Sequence, residues 1–197
     1  MDSKYLSYSS STKYNREVFL LNYGKEMAIF EENNSLLHAL GTLISEKKDD
    51  EGNFHIGLLP LVLIIERQTT IAFDCLSRYQ SYATWMAFRP ALESLLIIGK
   101  FIDDPENARI WKYKEDNFKE YSKKFQGKAL VSKSLPHAKK YRKLLSTIND
   151  EFMHSNYSYF EKNLIVKPFD SKKFYLNIQY FDDDFLEHKA FLFSFLH

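Results

Sequence analysis

Residues 84–102, TWMAFRPALESLLIIGKFI, are almost wholly apolar, yet Arg89 and Glu93 stand one helical turn apart in their midst, with Pro90 between them. An ionised group in such a stretch is costly to bury unless it is paired, and the i,i+4 spacing supplies the pair. The stretch therefore predicts a helix from about Ser81 to Ile102, with a polar site that either sits inside a helical core or faces a partner. Pro90 lacks an N–H, frees the carbonyl of Met86 and predicts a bend beside Arg89.

On the N-terminal side, Pro60 falls in the predicted first turn of another helix, running to about Arg78 and apolar nearly all round. Such a helix belongs in the middle of a bundle, so Glu66, Arg67 and Asp74 need partners or a place at its surface. The charged turn KKDDEGN (47–53) separates it from an amphipathic helix over about 16–48. There Phe19, Leu20, Tyr23, Met27, Phe30, Leu37, Leu40 and Ile44 recur at steps of three and four, with Asn33-Asn34 as a possible break.

On the C-terminal side, Asp103-Asp104-Pro105-Glu106 offers a cap, a proline for the first helical position and negative charge at the positive end of the dipole. A helix is predicted from there to about Phe125. GKALVSKSLP (127–136) reads as a linker, and a further helix from about Pro136 to Ser155 carries the stripe Tyr141, Leu144, Leu145, Ile148 and Phe152. The period then changes. Phe174, Leu176, Ile178 and Tyr180 alternate with Tyr175, Asn177 and Gln179, which predicts a strand able to pair with Leu164–Lys167. The last stretch, DDDFLEHKAFLFSFLH, opens a helix at an acidic end and finishes apolar, so it docks on a partner or on the bundle, or belongs to a longer chain.

The predicted fold is mainly α: a bundle of five or six helices (1–160), followed by a small C-terminal β-hairpin and helix (161–197). Composition agrees, since seventeen Phe, thirteen Tyr and two Trp supply a large core while six Gly and five Pro leave few breaks. One cysteine, Cys75, excludes an internal disulfide and suits a reducing compartment, where it serves as a small core hydrophobe. The N-terminus has no apolar run of the secretory kind, and the longest apolar run, Ile56–Ile65, is well short of the ~20 residues needed to span a bilayer. The expectation is a cytoplasmic protein without a membrane helix.

The 27 basic and 26 acidic residues nearly cancel, but their distribution is uneven. Lys119, Lys123, Lys124, Lys128, Lys133, Lys139, Lys140, Arg142 and Lys143 fall in one segment with Glu120 as its sole acid, interleaved with Tyr121, Phe125 and Tyr141. Such a segment reads either as a phosphate-binding face or as a solvated surface, neutralised by acids such as Asp182–Asp184 and Glu187.

Two constellations carry candidate chemistry. Asp150, one turn before His154, can hold the imidazole and raise its basicity, making His154 a candidate general base; the alternative is a histidine satisfying the helix C-terminus. Arg89 can hold a phosphate or carboxylate with Glu93 orienting it, or the two can be a packing ion pair. The six histidines lack paired ligand spacing and the glycines form no phosphate loop, so no metal or cofactor is expected. Trp85 and Trp111 read as core residues.

FRPALES with Arg89 and Glu93, the acidic-proline opening DDPENARIW, and YRKLLSTINDEFMHSN ending near His154 resemble bacterial helical domains related to the HEPN superfamily, over about Leu58 to Asn156. The resemblance implies a helical bundle, often dimeric, and a role on RNA as a metal-independent ribonuclease in toxin or antiphage systems. The family places an arginine four to six residues before its histidine, whereas Asn149 occupies the position five before His154 here and supplies no cation. Arg89 or the basic segment, with Lys139, Lys140, Arg142 and Lys143, is the expected substitute. The alternatives are a non-catalytic dimerisation or scaffold protein and a sensor of a small anion at Pro90.

Overall fold

A computed structural model describes residues 4–46, 54–132, 134–153, 164–170, 173–178 and 181. Among these residues the fold is mainly helical, as expected, with seven α-helices: α1 (Lys4–Asn22), α2 (Gly24–Glu46), α3 (Phe54–Ser77), α4 (Ser81–Asp103), α5 (Glu106–Lys112), α6 (Phe118–Phe125) and α7 (Ala138–Thr147). A 3-10 turn (Gly127–Ala129) follows α6, and a π-helical segment (Ile148–Met153) continues α7. Leu164–Asp170 (β1) and Lys173–Ile178 (β2) pair antiparallel, with Leu164 opposite Ile178 and Val166 opposite Leu176. No helix among the described residues is long and apolar enough to cross a membrane.

The helix count exceeds the predicted five or six because two long helices are each divided. The first break falls at Tyr23-Gly24 and not at Asn33-Asn34, which lie within α2. Glycine is the weaker helix former, and Tyr23 is drawn into the core. The second break, at 113–117, separates α5 from α6, with Asn117 capping the new helix by accepting from the Glu120 N–H at 3.3 Å. The start of α1 lies well before Arg16, in the polar N-terminal stretch. Pro60 sits inside α3, past its first turn, and Pro105 is at the N-cap of α5, one position before its expected place.

The chain divides into two compact units. One comprises residues 1–31, 71–86 and 148–197 and is built on Phe19, Tyr23, Phe30, Phe73 and Leu76. Its rings are closely fitted: Phe30 stacks on Phe73 with centroids 4.0 Å apart, and Phe19 meets Phe73 edge-on at 5.6 Å. Burial pushes the Tyr23 phenol up to about 12. The buried hydroxyls of Ser77 and Thr84 donate to the carbonyls of Asp74 (2.7 Å) and Gln80 (2.8 Å), so they enter the interior already satisfied.

The other unit comprises residues 32–70 and 87–147, with Leu61, Phe101, Ala108, Ile110 and Phe125 at its centre. Trp111 packs on Phe101 at 5.9 Å, a core role as expected. Helix α3 comes so close to α4 and α5 here that a Cβ on Gly57 would lie 3.3 Å from Phe101 Cε2 and 3.6 Å from the Ala108 Cβ. The predicted linker is partly interior: Leu130, Val131 and Ser132 are all buried.

Candidate functional site

Arg89 and Glu93 form the predicted pair on α4. Arg89 Nε donates to Glu93 Oε1 at 3.0 Å, with the side chains 28% and 36% exposed. A helix brings residues four apart onto one face, so this contact needs no tertiary support. Its partial exposure places it among surface-type i,i+4 pairs, worth about 0.3–0.5 kcal/mol, and not among deeply buried charges.

Asp150 lies in the π-helical segment and is exposed. His154 itself, like Lys133 and the acids Asp182–Asp184 and Glu187, lies outside the described residues.

The basic segment resolves into two classes of residue. Lys124 is an internal tether: its Nζ donates to Asn107 Oδ1 at 2.8 Å, while Asn107 Nδ2 donates to the Lys100 carbonyl at 2.8 Å. Arg142 is another, with Nη2 donating to the Val131 carbonyl at 3.2 Å. By contrast, Lys119, Lys123, Lys128, Lys139, Lys140 and Lys143 are exposed, and no ion pair joins any of them to a described residue. Of the interleaved aromatics, Phe125 is buried and Tyr121 packs against it at 5.4 Å, so neither offers a free stacking face.

A polar cluster that the sequence did not reveal fixes the start of this region. The two carboxylate oxygens of Asp103, at the end of α4, accept from the hydroxyls of Ser132 and Ser134, and those hydroxyls lie 2.8 Å from each other. The serine hydrogen bonds hold the Asp103 carboxyl below the usual carboxylate value, helped by the charge of Lys100 and opposed by partial burial. The S-x-S spacing of Ser132 and Ser134 is its one local signal, since Asp103 lies 29 and 31 residues away, in a run whose acidic-proline pattern reads as a helix cap.

A cavity of about 300 Å3 opens where α5 turns into α6, lined by Arg109, Ile110, Tyr113, Asp116, Asn117 and Glu120. It contains none of the predicted site residues. Arg109 is already paired with Glu106, and Glu120 accepts from Asn117 Nδ2 at 2.9 Å. Among the described residues no group of three or more His, Cys, Asp and Glu side chains is arranged to hold a metal ion. No family model matches this chain, and neither the curated proteins nor the solved structures contain a match to it.

Proposed function

We propose that this protein binds RNA, or a polyanion of like charge density, through the exposed lysines of α6, the 3-10 turn and α7. The placement of those lysines carries the proposal. Lys119 and Lys123 are an i,i+4 like-charge pair on α6, as are Lys139 and Lys143 on α7, and each such pair costs a helix about 0.2–0.5 kcal/mol. Lys139 and Lys140 also occupy the first turn of α7, where the dipole disfavours cations and no acidic residue offsets them. The like-charge pair Lys119 and Lys123 on α6 and the lysines Lys139, Lys140 and Lys143 crowded on α7, with Lys128 exposed between the two helices and Lys124 and Arg142 serving internal contacts, are the arrangement expected of a face that meets phosphates.

The HEPN-like relationship belongs to the same proposal. It is supported by the helical bundle and by Arg89 and Glu93 sharing a face of α4, while catalysis would draw on His154 as base with Asp150 orienting it. The C-terminal hairpin, supported by the alternation in 174–180 and the pairing of β1 with β2, completes the proposed architecture.

Binding of a labelled single-stranded RNA, measured across a salt series, tests the proposal. Replacing Lys119, Lys123, Lys139, Lys140 and Lys143 by Gln is expected to weaken binding and to flatten the dependence of log K on log salt by about 0.7 per lost phosphate contact. Unchanged affinity and slope in the folded variant would overturn it.

A further inference from the structure

In the unit containing residues 1–31 and 71–86, two arginines from separate parts of the chain converge on one carboxylate. Arg16 on α1 contacts Asp74 Oδ1 through Nη2, and Arg78, just past the end of α3, contacts Asp74 Oδ2 through its own Nη2. Asp74 thereby has a cation on each oxygen, while each guanidinium is engaged through one nitrogen and keeps its other N–H groups. Two positive charges face one negative charge, and the three side chains are 43%, 32% and 36% exposed, which leaves them open to solute.

The position of Arg78 is fixed by the backbone around it. Its carbonyl accepts from Asn15 Nδ2 at 3.2 Å, and Tyr79 takes the left-handed conformation, with φ 61°, that turns the chain towards α4. Gln80 Nε2 donates to the Tyr8 hydroxyl at 2.7 Å, a second tie from α1 to this corner. The backbone that carries Arg78 is thus tied to α1, the helix that carries Arg16. Burial lowers the proton affinity of Arg16, and the neighbouring charge of Arg78 lowers it further, so the two cations disfavour one another.

We propose that Arg16 and Arg78 form a binding site for a phosphate group, for which Asp74 competes from within the chain. A phosphate dianion balances both guanidiniums and offers three oxygens to their free N–H groups, where the carboxylate offers two oxygens and one charge. The site draws on none of the lysines of α6 and α7.

Thermal unfolding of the full chain is to be followed in inorganic phosphate and in a nucleoside monophosphate, each against chloride at matched ionic strength. The native protein is expected to gain stability with rising phosphate, and the arm with the larger gain at equal concentration distinguishes free phosphate from a phosphorylated small molecule as the ligand. Arg16→Gln and Arg78→Gln should remove the phosphate-specific gain, whereas Asp74→Asn, which removes the internal competitor, should bind phosphate about ten-fold more tightly. A structural ion-pair network predicts the opposite for Asp74→Asn: lower stability and no tighter phosphate binding. That result, or an undiminished phosphate gain in Arg16→Gln, overturns the proposal, and these two variants decide the matter if Arg78→Gln does not fold. A phosphate gain lost only with the α6 and α7 lysines overturns this site without touching the lysine face.

Discussion

Asp103 joins the end of α4 to residues 29 and 31 positions further along the chain through two serine hydroxyls. Because the contacts favour its ionised form, its carboxyl titrates lower in the folded protein than in the unfolded chain. A depressed carboxyl stabilises the fold at pH values above its unfolded value, near 3.8, and that contribution disappears as the pH falls through the lowered folded value. The group is exposed, so the hydrogen bonds to it are worth about 1 kcal/mol, below the usual range for bonds to a charged group. Asp103→Asn should destabilise the protein by about that amount at neutral pH, and its stability should converge with that of the native protein in the acid range. Thermal unfolding across pH checks this, and parallel curves with a constant gap would reject it. Arg89–Glu93 and Asp103–Ser132–Ser134 differ in why one was legible and the other was not. A helix dictates which residues stand four apart on a face, whereas nothing local says which distant loop will reach Asp103.

At the scale of elements, hydrophobic periodicity located α2, α3 and α4 but overlooked breaks that leave the period intact. The separation of α5 from α6 is signalled only by Asn117 with Glu120 three residues on, where Asn117 accepts from the Glu120 N–H and donates to its carboxylate. Similarly, the polar residues 4–15 carry no apolar stripe to mark a helix. Their partners are tertiary: Tyr8 with Gln80 and Asn15 with the Arg78 carbonyl, 72 and 63 residues away. The capping role of Asn117 makes a specific claim. Asn117→Ala should cost about 1 kcal/mol, whereas Asn117→Ser, which keeps a side-chain acceptor for the Glu120 N–H, should recover most of the loss. Denaturant unfolding measures both, and equal losses in the two variants would show that the cap contributes little.

At the scale of the whole molecule, a formal net charge of +1 conceals a segregation that has an energetic consequence. If the exposed lysines of α6 and α7 exist to meet phosphates, they oppose the stability of their own helices: Lys139 and Lys140 confront the dipole, and Lys139 with Lys143 repel one another. If instead they are neutralised by acidic residues elsewhere in the chain, such as Asp182–Asp184, they support the fold. The two cases predict opposite signs. Under the first, Lys139→Gln with Lys140→Gln should raise stability by about 0.5–1 kcal/mol while RNA binding weakens, because removal of a cation from the first turn relieves the dipole and removal of the pair relieves the repulsion. Under the second, the same double variant should lose stability, since it strips the partners from paired carboxylates. Denaturant unfolding in low salt, where these interactions are least screened, gives the sign, and repeating it in 1 M salt should bring the variant and the native protein together in either case. A loss of stability at low salt would remove the energetic argument for a phosphate-binding face.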